Sequence, residues 1–236
     1  MIRLSTILLT LAFASQCFAD EHGELIFSDD FERKESQEEK DEPGNGWGTN
    51  SKSRANGNKQ VDLRDGAMYI YFHESADHAV SVTHPFDFKN GAIGMKFMLE
   101  DAKDSLGLNF ADQQYKKVHA GHLFITRIST SQVQLQDLKT GVMDLTLRDA
   151  NKAKTLTKDQ KALLKTKAKK ITNKLETGKW HDLLVQVDGE KLSVTINGKI
   201  IGSFESEGIA HPTKRMLRLS VPKNAVVDEV RIWKKD

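Results

Sequence analysis

Cysteine is nearly missing from this chain of 236 residues, because Cys17 is the only one. A single thiol cannot close an internal disulfide, and it cannot supply a zinc site built on several cysteines. Aromatic residues are also few, at 7% of the chain, and no Asn-x-Ser/Thr sequon is present. The most apolar stretch, Ile7–Ala14, is too short to span a bilayer. The core must therefore be stabilised without internal disulfides.

The first nineteen residues have the pattern of a cleaved secretory signal. A basic start at Arg3 is followed by the apolar run Ile7–Ala14 and by a small-residue end at Cys17–Ala19. We therefore expect a secreted or periplasmic protein without a stable transmembrane anchor. Cleavage after Ala19 would also remove Cys17, leaving one main domain over residues 20–236.

Charge is almost balanced overall but unevenly distributed. The chain has 35 basic and 33 acidic residues, so loss of Arg3 would leave 34 against 33. No whole-molecule field would then select a partner. Locally, Asp29–Glu42 holds eight acidic and three basic residues, whereas Asn151–Lys179 holds ten lysines and only Asp159 and Glu176 as acids.

Short alternating apolar runs separated by turn residues predict β-strands through most of the chain. Asp65-Gly66 predicts a hairpin, and Asp188-Gly189 with Asn197-Gly198 predict a three-stranded meander joined by type I′ turns. At the front of the meander, Trp180 is expected to cap the core edge. The remaining predicted strands cover residues 79–84, 92–100, 105–110, 121–128, 131–138, 142–147, 216–221 and 225–234.

One segment has helical rather than strand periodicity. Thr157 and Gln160 form a capping-box pattern and precede apolar residues at helical spacing, which predicts a helix from about Lys158 to Thr172. We expect this basic helix to be an insertion, at about residues 151–174, on the outside of the fold. The whole pattern predicts an all-β protein, a sandwich of two antiparallel sheets with one inserted basic helix.

Two stretches resemble a known superfamily. The run GKWHDLLVQVDGEKLSVTINGKIIGSF, followed by VDEVRIW, resembles the laminin-G and concanavalin A-like lectin/glucanase jelly roll. More weakly, IFSDDFE followed by GNGW looks like the opening of the 3-keto-disaccharide hydrolase (DUF1080-type) branch. The resemblance implies a carbohydrate-binding jelly roll or, alternatively, a glycosidase acting on oxidised disaccharides.

Catalytic carboxylates are not evident. Retaining glucanases of this superfamily carry an E-x-D-x-E strand, and this chain has no such run. The nearest candidates are Glu100 and Asp104 at a predicted strand end, with Asp137 after another strand. These do not place two carboxylates on one face of one strand, so the catalytic residues stay unassigned.

A sugar-binding groove needs amides, hydroxyls and an aromatic platform. Outward positions of the predicted strands supply such groups, and we expect ligand binding by Tyr71, His73, Asn109, Gln134 and Gln136. The alternative is an ordinary solvated strand face.

Metal and cofactor signals are weak. His119 and His122 have a spacing that suits metal ligation on a helix, but Gly121 favours a loop there. We expect no cofactor, and calcium stays open because laminin-G-like loops can bind it.

The lysine-rich segment suggests a second contact. Lys161, Lys165 and Lys169 would attract an anionic polysaccharide or surface, although a solvated face balanced by the acidic residues 29–42 is the alternative. Nucleic acid is not expected, since interleaved aromatics are missing. A third functional class, an accessory protein that binds another protein, stays open, and the oligomeric state is not indicated.

Overall fold

The computed structural model describes residues 22–235. The signal-like segment lies outside these residues. Within them, no helix combines the length and the apolar character needed to cross a membrane.

The described chain is built mainly from strands. In chain order its elements are β1 (Glu24–Asp29), β2 (Gly48–Thr49), α1 (Ser51–Arg54), β3 (Val61–Arg64), β4 (Ala67–Tyr71), β5 (Val80–Phe88), β6 (Gly91–Met98), β7 (Ser105–Ala111), β8 (His122–Ser129), β9 (Gln132–Asp137), α2 (Leu145–Lys152), α3 (Lys158–Thr166), β10 (Ala168–Thr172), β11 (Trp180–Asp188), β12 (Lys191–Ile196), β13 (Lys199–Glu205), β14 (Lys214–Val221) and β15 (Asn224–Lys234).

The strands form two antiparallel sheets. Sheet I has the order β13-β12-β11-β6-β15-β4-β3, with β1 also paired to β15. Sheet II has the order β10-β9-β8-β7-β14-β5-β2. Neighbours in each sheet come from distant parts of the chain, as where β14 lies between β7 and β5. This is the jelly-roll sandwich that the sequence predicts.

The core lies between the sheets, because alternate side chains of each strand face inward. In sheet I, Val185 of β11 stands opposite Val194 of β12, and both are fully buried. In sheet II, Leu106, Leu108 and Phe110 of β7 point into the same core. Burying each such side chain contributes roughly 2 kcal/mol to folding. The intervening residues of sheet II are left on its outer face.

Two of the three predicted turns have the expected geometry. Asp65-Gly66 and Asn197-Gly198 link their strands directly, and all four residues have positive φ, as a type I′ turn requires. The third turn is displaced by one residue. Asp188 pairs with Lys191, so Gly189 and Glu190 are the central residues, and only Gly189 has positive φ.

The predicted helix from Lys158 to Thr172 is wrong in its second half. The capping box of Thr157 and Gln160 is present, but α3 ends at Thr166 and Ala168–Thr172 form the strand β10. Pairing with the exposed edge of β9 gives these backbone groups partners, which local helical periodicity cannot anticipate. Within β10, Ile171 stands opposite the buried Val133 and packs against the core.

The predicted strand at 142–147 is also wrong. Its second half begins the helix α2, where the carboxylate of Asp144 accepts a 3.0 Å hydrogen bond from the amide of Leu147. Asp is a favoured N-cap residue, and this cap stabilises the helical alternative. Leu147 is the buried residue of this helix.

The prediction that Trp180 caps the edge of the core is wrong. Trp180 is 44% exposed. Trp47 is buried instead, and its indole N–H donates a 2.8 Å hydrogen bond to the buried carboxylate of Asp29. Asp29 also pairs with Arg33, so it is an anchor for the first loop rather than part of a solvated loop. Its pKa would be raised by burial, but the hydrogen bonds from Arg33, the Phe31 amide and Trp47 lower it overall.

Candidate functional site

A cavity of about 750 Å³ lies on the outer face of sheet II. This volume is within the range of ligand pockets in proteins, about 300–1,000 Å³. Its lining residues come from five neighbouring strands and from four segments outside these strands: Asn50, Arg54, His78, Ala79, Ser81, Asn109, His119, Ala120, His122, Ile125, Arg127, Gln136, Leu138, Val142, Met143, Arg148, Arg218 and Ser220.

Two rows of outward side chains form the floor. In the first row the register across the strands runs Arg218, Asn109, Ile125 and Gln136, from β14 to β9. The second row lies two residues away from the first along each strand and consists of Ser81, Ser220, Gly107, Arg127 and Gln134. At Gly107 the floor is closed by its neighbours, since a Cβ at this position would lie 3.1 Å from the Ile125 side chain and 3.2 Å from the Ser220 carbonyl oxygen.

Four segments outside the strands of sheet II form the walls. The first contributes Arg54 from the end of α1, and the second contributes His78 from the connection between β4 and β5. On the opposite side, the turn at His119–Gly121 and the segment from Leu138 to Arg148 complete the enclosure. Ala120 adopts a left-handed φ of 50°, a strained conformation for alanine that places His119 and His122 on either side of the turn.

Three arginines of the cavity lack the carboxylate partner that the other arginines of the described residues have. Residues 22–235 contain eight arginines, and five of them pair with a carboxylate: Arg33, Arg54, Arg64, Arg215 and Arg231. The other three are Arg127, Arg148 and Arg218, and all three line the cavity. Within the described residues no carboxylate lies in ion-pair distance of these three guanidinium groups. The cavity therefore concentrates uncompensated positive charge.

Arg127 and Arg218 are partly buried. Burial lowers the pKa of both, since a charged guanidinium group is less stable when it is partly desolvated than when it is hydrated. Arginine nevertheless keeps its charge at any physiological pH. Arg218 hydrogen-bonds only to uncharged groups, namely the ring of His122, the Ala120 carbonyl and, more weakly, the sulfur of Met216.

His122 is held in its neutral form beside Arg218. Burial, followed by the charge of Arg218, lowers the pKa of His122 to about 3. Its Nδ1 lies 2.9 Å from the Asn109 side-chain oxygen, which can only accept. The ring proton is therefore assigned to Nδ1, leaving Nε2 to accept from Arg218 at 3.1 Å. Burial and the charges of Arg148, Lys152 and Arg218 lower the pKa of His119 as well.

Acidic side chains do not contribute to the lining of this cavity, which consists entirely of residues within 22–235. The same part of the chain contains no group of three His, Cys, Asp or Glu residues able to hold a metal ion. The rings of His119 and His122 have centroids 6.2 Å apart. The groups available for recognition are consequently guanidinium, imidazole, amide and hydroxyl.

Two of the five expected sugar-binding residues line the cavity. Asn109 and Gln136 belong to its floor, and Gln134 lies beside it, with its amide nitrogen 3.4 Å from the Gln136 oxygen. The expected grouping with Tyr71 and His73 is wrong. Tyr71 belongs to β4 of sheet I, and His73 follows that strand in a loop where its Nδ1 lies 2.8 Å from the Ser75 hydroxyl.

The carboxylates considered as catalytic candidates lie elsewhere. Glu100 is exposed at the β6–β7 turn, where the buried Asp104 accepts hydrogen bonds from the amides of Asp101 and Asn224. Asp137 is fully buried at the end of β9, where its oxygens accept from Thr140, Ser206 and the Gly208 amide. These contacts give Asp104 and Asp137 structural roles.

The three lysines expected to bind an anionic surface fall on two elements. Lys161 and Lys165 are exposed on α3, one turn apart, so their side chains share a face. Lys169 is exposed on β10, where its Nζ donates a 2.9 Å hydrogen bond to the Ser203 carbonyl of sheet I. The basic segment therefore consists of a helix and an edge strand.

The arginines of the cavity were not predicted from the sequence. Arg218 stands between Leu217 and Leu219 in a predicted strand, a pattern in which a charged residue lies on the outward face. Arg127 precedes the apolar Ile128 in another predicted strand, which favours the outward face in the same way. Each of these signals is local, however, and 91 positions separate the two residues. Only the order of strands β8, β7 and β14 brings them to one surface.

No protein-family model matches the chain, and no curated protein matches it. Solved structures do resemble it. A GlcNAcα1-4Gal-releasing endo-β-galactosidase from Clostridium perfringens has a TM-score of 0.58 at 10% identity, and the alignment covers 91% of this chain and 63% of that one. The laminarinase from Rhodothermus marinus has a TM-score of 0.57 at 11% identity, covering 90% and 98% of the two chains. The carbohydrate-binding module CBM66 from Bacillus subtilis has a TM-score of 0.51 at 10% identity, covering 78% and 93%.

At these identities the comparisons establish the fold. The neighbours include both a binding module and hydrolases, so the fold alone does not choose between these activities. The protein has the jelly-roll β-sandwich fold of the concanavalin A-like type.

Proposed function

We propose that this protein binds carbohydrate in the cavity on the outer face of sheet II. The observation that carries the proposal is the juxtaposition of Asn109, Gln136 and Arg218 along one row of the floor of a 750 Å³ cavity. Saccharide hydroxyl groups both donate and accept hydrogen bonds. An amide provides both complementary groups, and a guanidinium provides donors.

The structural neighbours support this proposal. CBM66 is by its name a carbohydrate-binding module, and a variant of LamA from Z. galactanivorans was solved in complex with laminaritriose and laminaritetraose, at a TM-score of 0.53 and 12% identity. We carry over from them only the substrate class, a saccharide.

Binding without hydrolysis is the preferred form of the proposal. Retaining and inverting glycosidases generally use two carboxyl groups on either side of the scissile bond. The cavity lining contains none, and Glu100 and Asp104 belong to the β6–β7 turn. The resemblance to 3-keto-disaccharide hydrolases supplies the alternative. It predicts turnover of a 3-keto-disaccharide that is lost in Glu100→Gln or Asp104→Asn.

A glycan microarray followed by affinity electrophoresis tests the binding site. We expect Gln136→Ala to weaken retention on the best glycan about tenfold, the equivalent of one lost ligand hydrogen bond. Gln186→Ala is the matched control, because Gln186 lies on the outer face of sheet I. Equal effects of the two substitutions, or no glycan retained by the wild type, would overturn the proposed function. Co-purification of another protein in the absence of glycan binding would favour the accessory-protein alternative.

Export and surface binding are further parts of the proposal. Residues 1–19 have the pattern of a signal, so the secreted or periplasmic fraction should contain a protein beginning at Asp20. The exposed lysines of α3 would add a salt-sensitive contact to an anionic polymer. A Lys161→Gln, Lys165→Gln double variant should then elute from a heparin column at lower salt, whereas Lys191→Gln, Lys199→Gln in the meander should not.

A further inference from the structure

The strongest unexplained feature of the described chain is the segregation of its unpaired arginines. Five arginines, including Arg54 in the wall of the cavity, each have an acidic partner, whereas Arg127, Arg148 and Arg218 have none and share this cavity. All three unpaired guanidinium groups of the described residues therefore line one cavity.

Partly burying the guanidinium groups of Arg127 and Arg218 without an anionic partner costs free energy in the ligand-free protein. Arg127 and Arg218 are partly desolvated, as the lowering of their pKa values indicates. A desolvated cation is costly unless an anion or several hydrogen-bond acceptors compensate for the lost water. Among the described residues Arg127 has no side-chain acceptor, and Arg218 has only uncharged ones. The missing acceptors can be supplied by a ligand.

The positions of the arginines indicate where an anionic group would bind. Arg127 and Arg218 project from the outer face on strands that flank β7 and are offset by two residues along the strands, so their backbones are about 12 Å apart. Asn109 and Gly107 of β7 lie between them. Arg148 reaches the same space from α2 in the wall. An oxyanion between these three guanidinium groups would therefore be approached from the floor and from one wall.

We propose that the saccharide bound in this cavity is acidic, with its carboxylate or sulfate group held by Arg127, Arg148 and Arg218. This inference rests on the proposed carbohydrate function and specifies its ligand. Guanidinium groups match the planar geometry of carboxylates and can bind two oxygens of an oxyanion at once. The cavity is far larger than one inorganic oxyanion, and the amides of Asn109 and Gln136 supply contacts for the uncharged part of a sugar.

Isothermal titration calorimetry with four probes tests the inference. The probes are a laminari-oligosaccharide, an oligogalacturonate, a sulfated galactan oligosaccharide of similar length, and sodium sulfate. We expect one acidic oligosaccharide to bind at least tenfold more tightly than the neutral one, and the two acidic probes to distinguish carboxylate from sulfate recognition. The affinity should fall as the salt concentration rises, because ionic contacts are screened.

Variants identify the site. Arg127→Gln and Arg148→Gln should each remove most of the preference for the acidic probe, whereas Arg231→Gln should leave it intact. Arg231 is the matched control because it lies on sheet I and pairs with Glu229. Since the first two substitutions remove unpaired cations, the Tm without ligand should be unchanged or higher, and lost binding would not reflect misfolding.

The outcomes separate the two proposals. Equal affinity for neutral and acidic oligosaccharides would overturn the acidic preference and leave carbohydrate binding intact. An acidic preference that survives in both Arg127→Gln and Arg148→Gln would overturn the assigned site. Failure of every oligosaccharide to bind, with or without binding of sodium sulfate, would overturn both proposals.

Discussion

The guanidinium of Arg218 lies 3.0 Å from Nδ1 and 3.1 Å from Nε2 of His122, although 96 positions separate the two residues in the chain. A permanent cation at this distance opposes a second positive charge on the imidazole. Together with burial, which is the larger cause, it lowers the pKa of His122 to about 3. His122 is thus a neutral hydrogen-bonding group in the cavity.

Removing the cation should restore part of the normal titration of His122. We expect Arg218→Gln to raise the pKa of His122 toward its ordinary value near 6.5 without reaching it, since burial persists. Two-dimensional NMR of the histidine ring resonances would measure this change. Arg231→Gln on sheet I is the control and should leave the titration unaltered. A pKa of His122 near 6.5 in the wild-type protein would contradict the neutral-ring assignment.

Acidification should destabilise the folded protein before the carboxylates titrate. The pKa values of His84, His122 and His211 are all lowered, chiefly by burial. Between these lowered values and about 6.5, the unfolded chain binds more protons than the folded one, so stability rises with pH in this window. The free energy of unfolding from urea titrations should accordingly fall between pH 7 and pH 4.

A histidine variant tests the origin of this pH dependence. His122→Gln should show a smaller loss of stability over the same pH range, because its neutral side chain cannot take up a proton. At still lower pH, protonation of Asp112 should add to the loss. Burial raises the pKa of Asp112, but its hydrogen bond to His211 and other contacts lower it overall. A stability that is flat from pH 7 to pH 4 would exclude a role for the buried histidines.

Asp137 should be a major determinant of stability rather than of function. Its buried carboxylate accepts hydrogen bonds from Thr140, Ser206 and the Gly208 amide, and Lys167 lies 3.9 Å away. Asp137→Ala would leave these groups unsatisfied, so we expect a loss of about 3 kcal/mol in the free energy of unfolding. Equilibrium urea denaturation would measure it.

The control for Asp137 is Asp188, an exposed aspartate at the end of β11. Asp188→Ala should change stability by no more than about 0.5 kcal/mol, as is usual at a surface position. Comparable losses in the two variants would mean that the Asp137 network adds nothing beyond a surface charge.

Trp47 and Trp180 offer a matched comparison of a buried and an exposed position. Trp47→Phe keeps an aromatic ring in the core but removes the 2.8 Å hydrogen bond to Asp29, which should cost about 1–2 kcal/mol. Trp180→Phe makes the same chemical change at a 44% exposed side chain and should be nearly neutral. Thermal and urea denaturation of both variants test this order, and the reverse order would show that Trp180 anchors the core.

Local patterns predicted the sheets well. Alternating runs located nearly every long strand, and Asp65-Gly66 and Asn197-Gly198 defined their hairpins, because both signals depend on residues close together in the chain. The errors occurred where distant groups decide the local structure. Ala168–Thr172 form a strand because the edge of β9 is available to them, and helical spacing alone could not reveal this.

The candidate site was only partly predictable for the same reason. Alternation placed Asn109 and Gln136 on outward faces, but it could not show that their strands share a sheet from which Tyr71 is absent. Alternation likewise did not indicate that Arg127, Arg148 and Arg218 line one cavity. Nor did it indicate that these three lack the carboxylate partner that the other arginines of the described residues have.

By itself, the sequence determined which residues of each strand face the core and which face outward, since that choice depends on a two-residue repeat and on turn chemistry. The tertiary structure alone decided which outward faces lie side by side. The order of strands in a sheet is set by contacts between segments tens of residues apart, and the charge of the cavity is a consequence of that order.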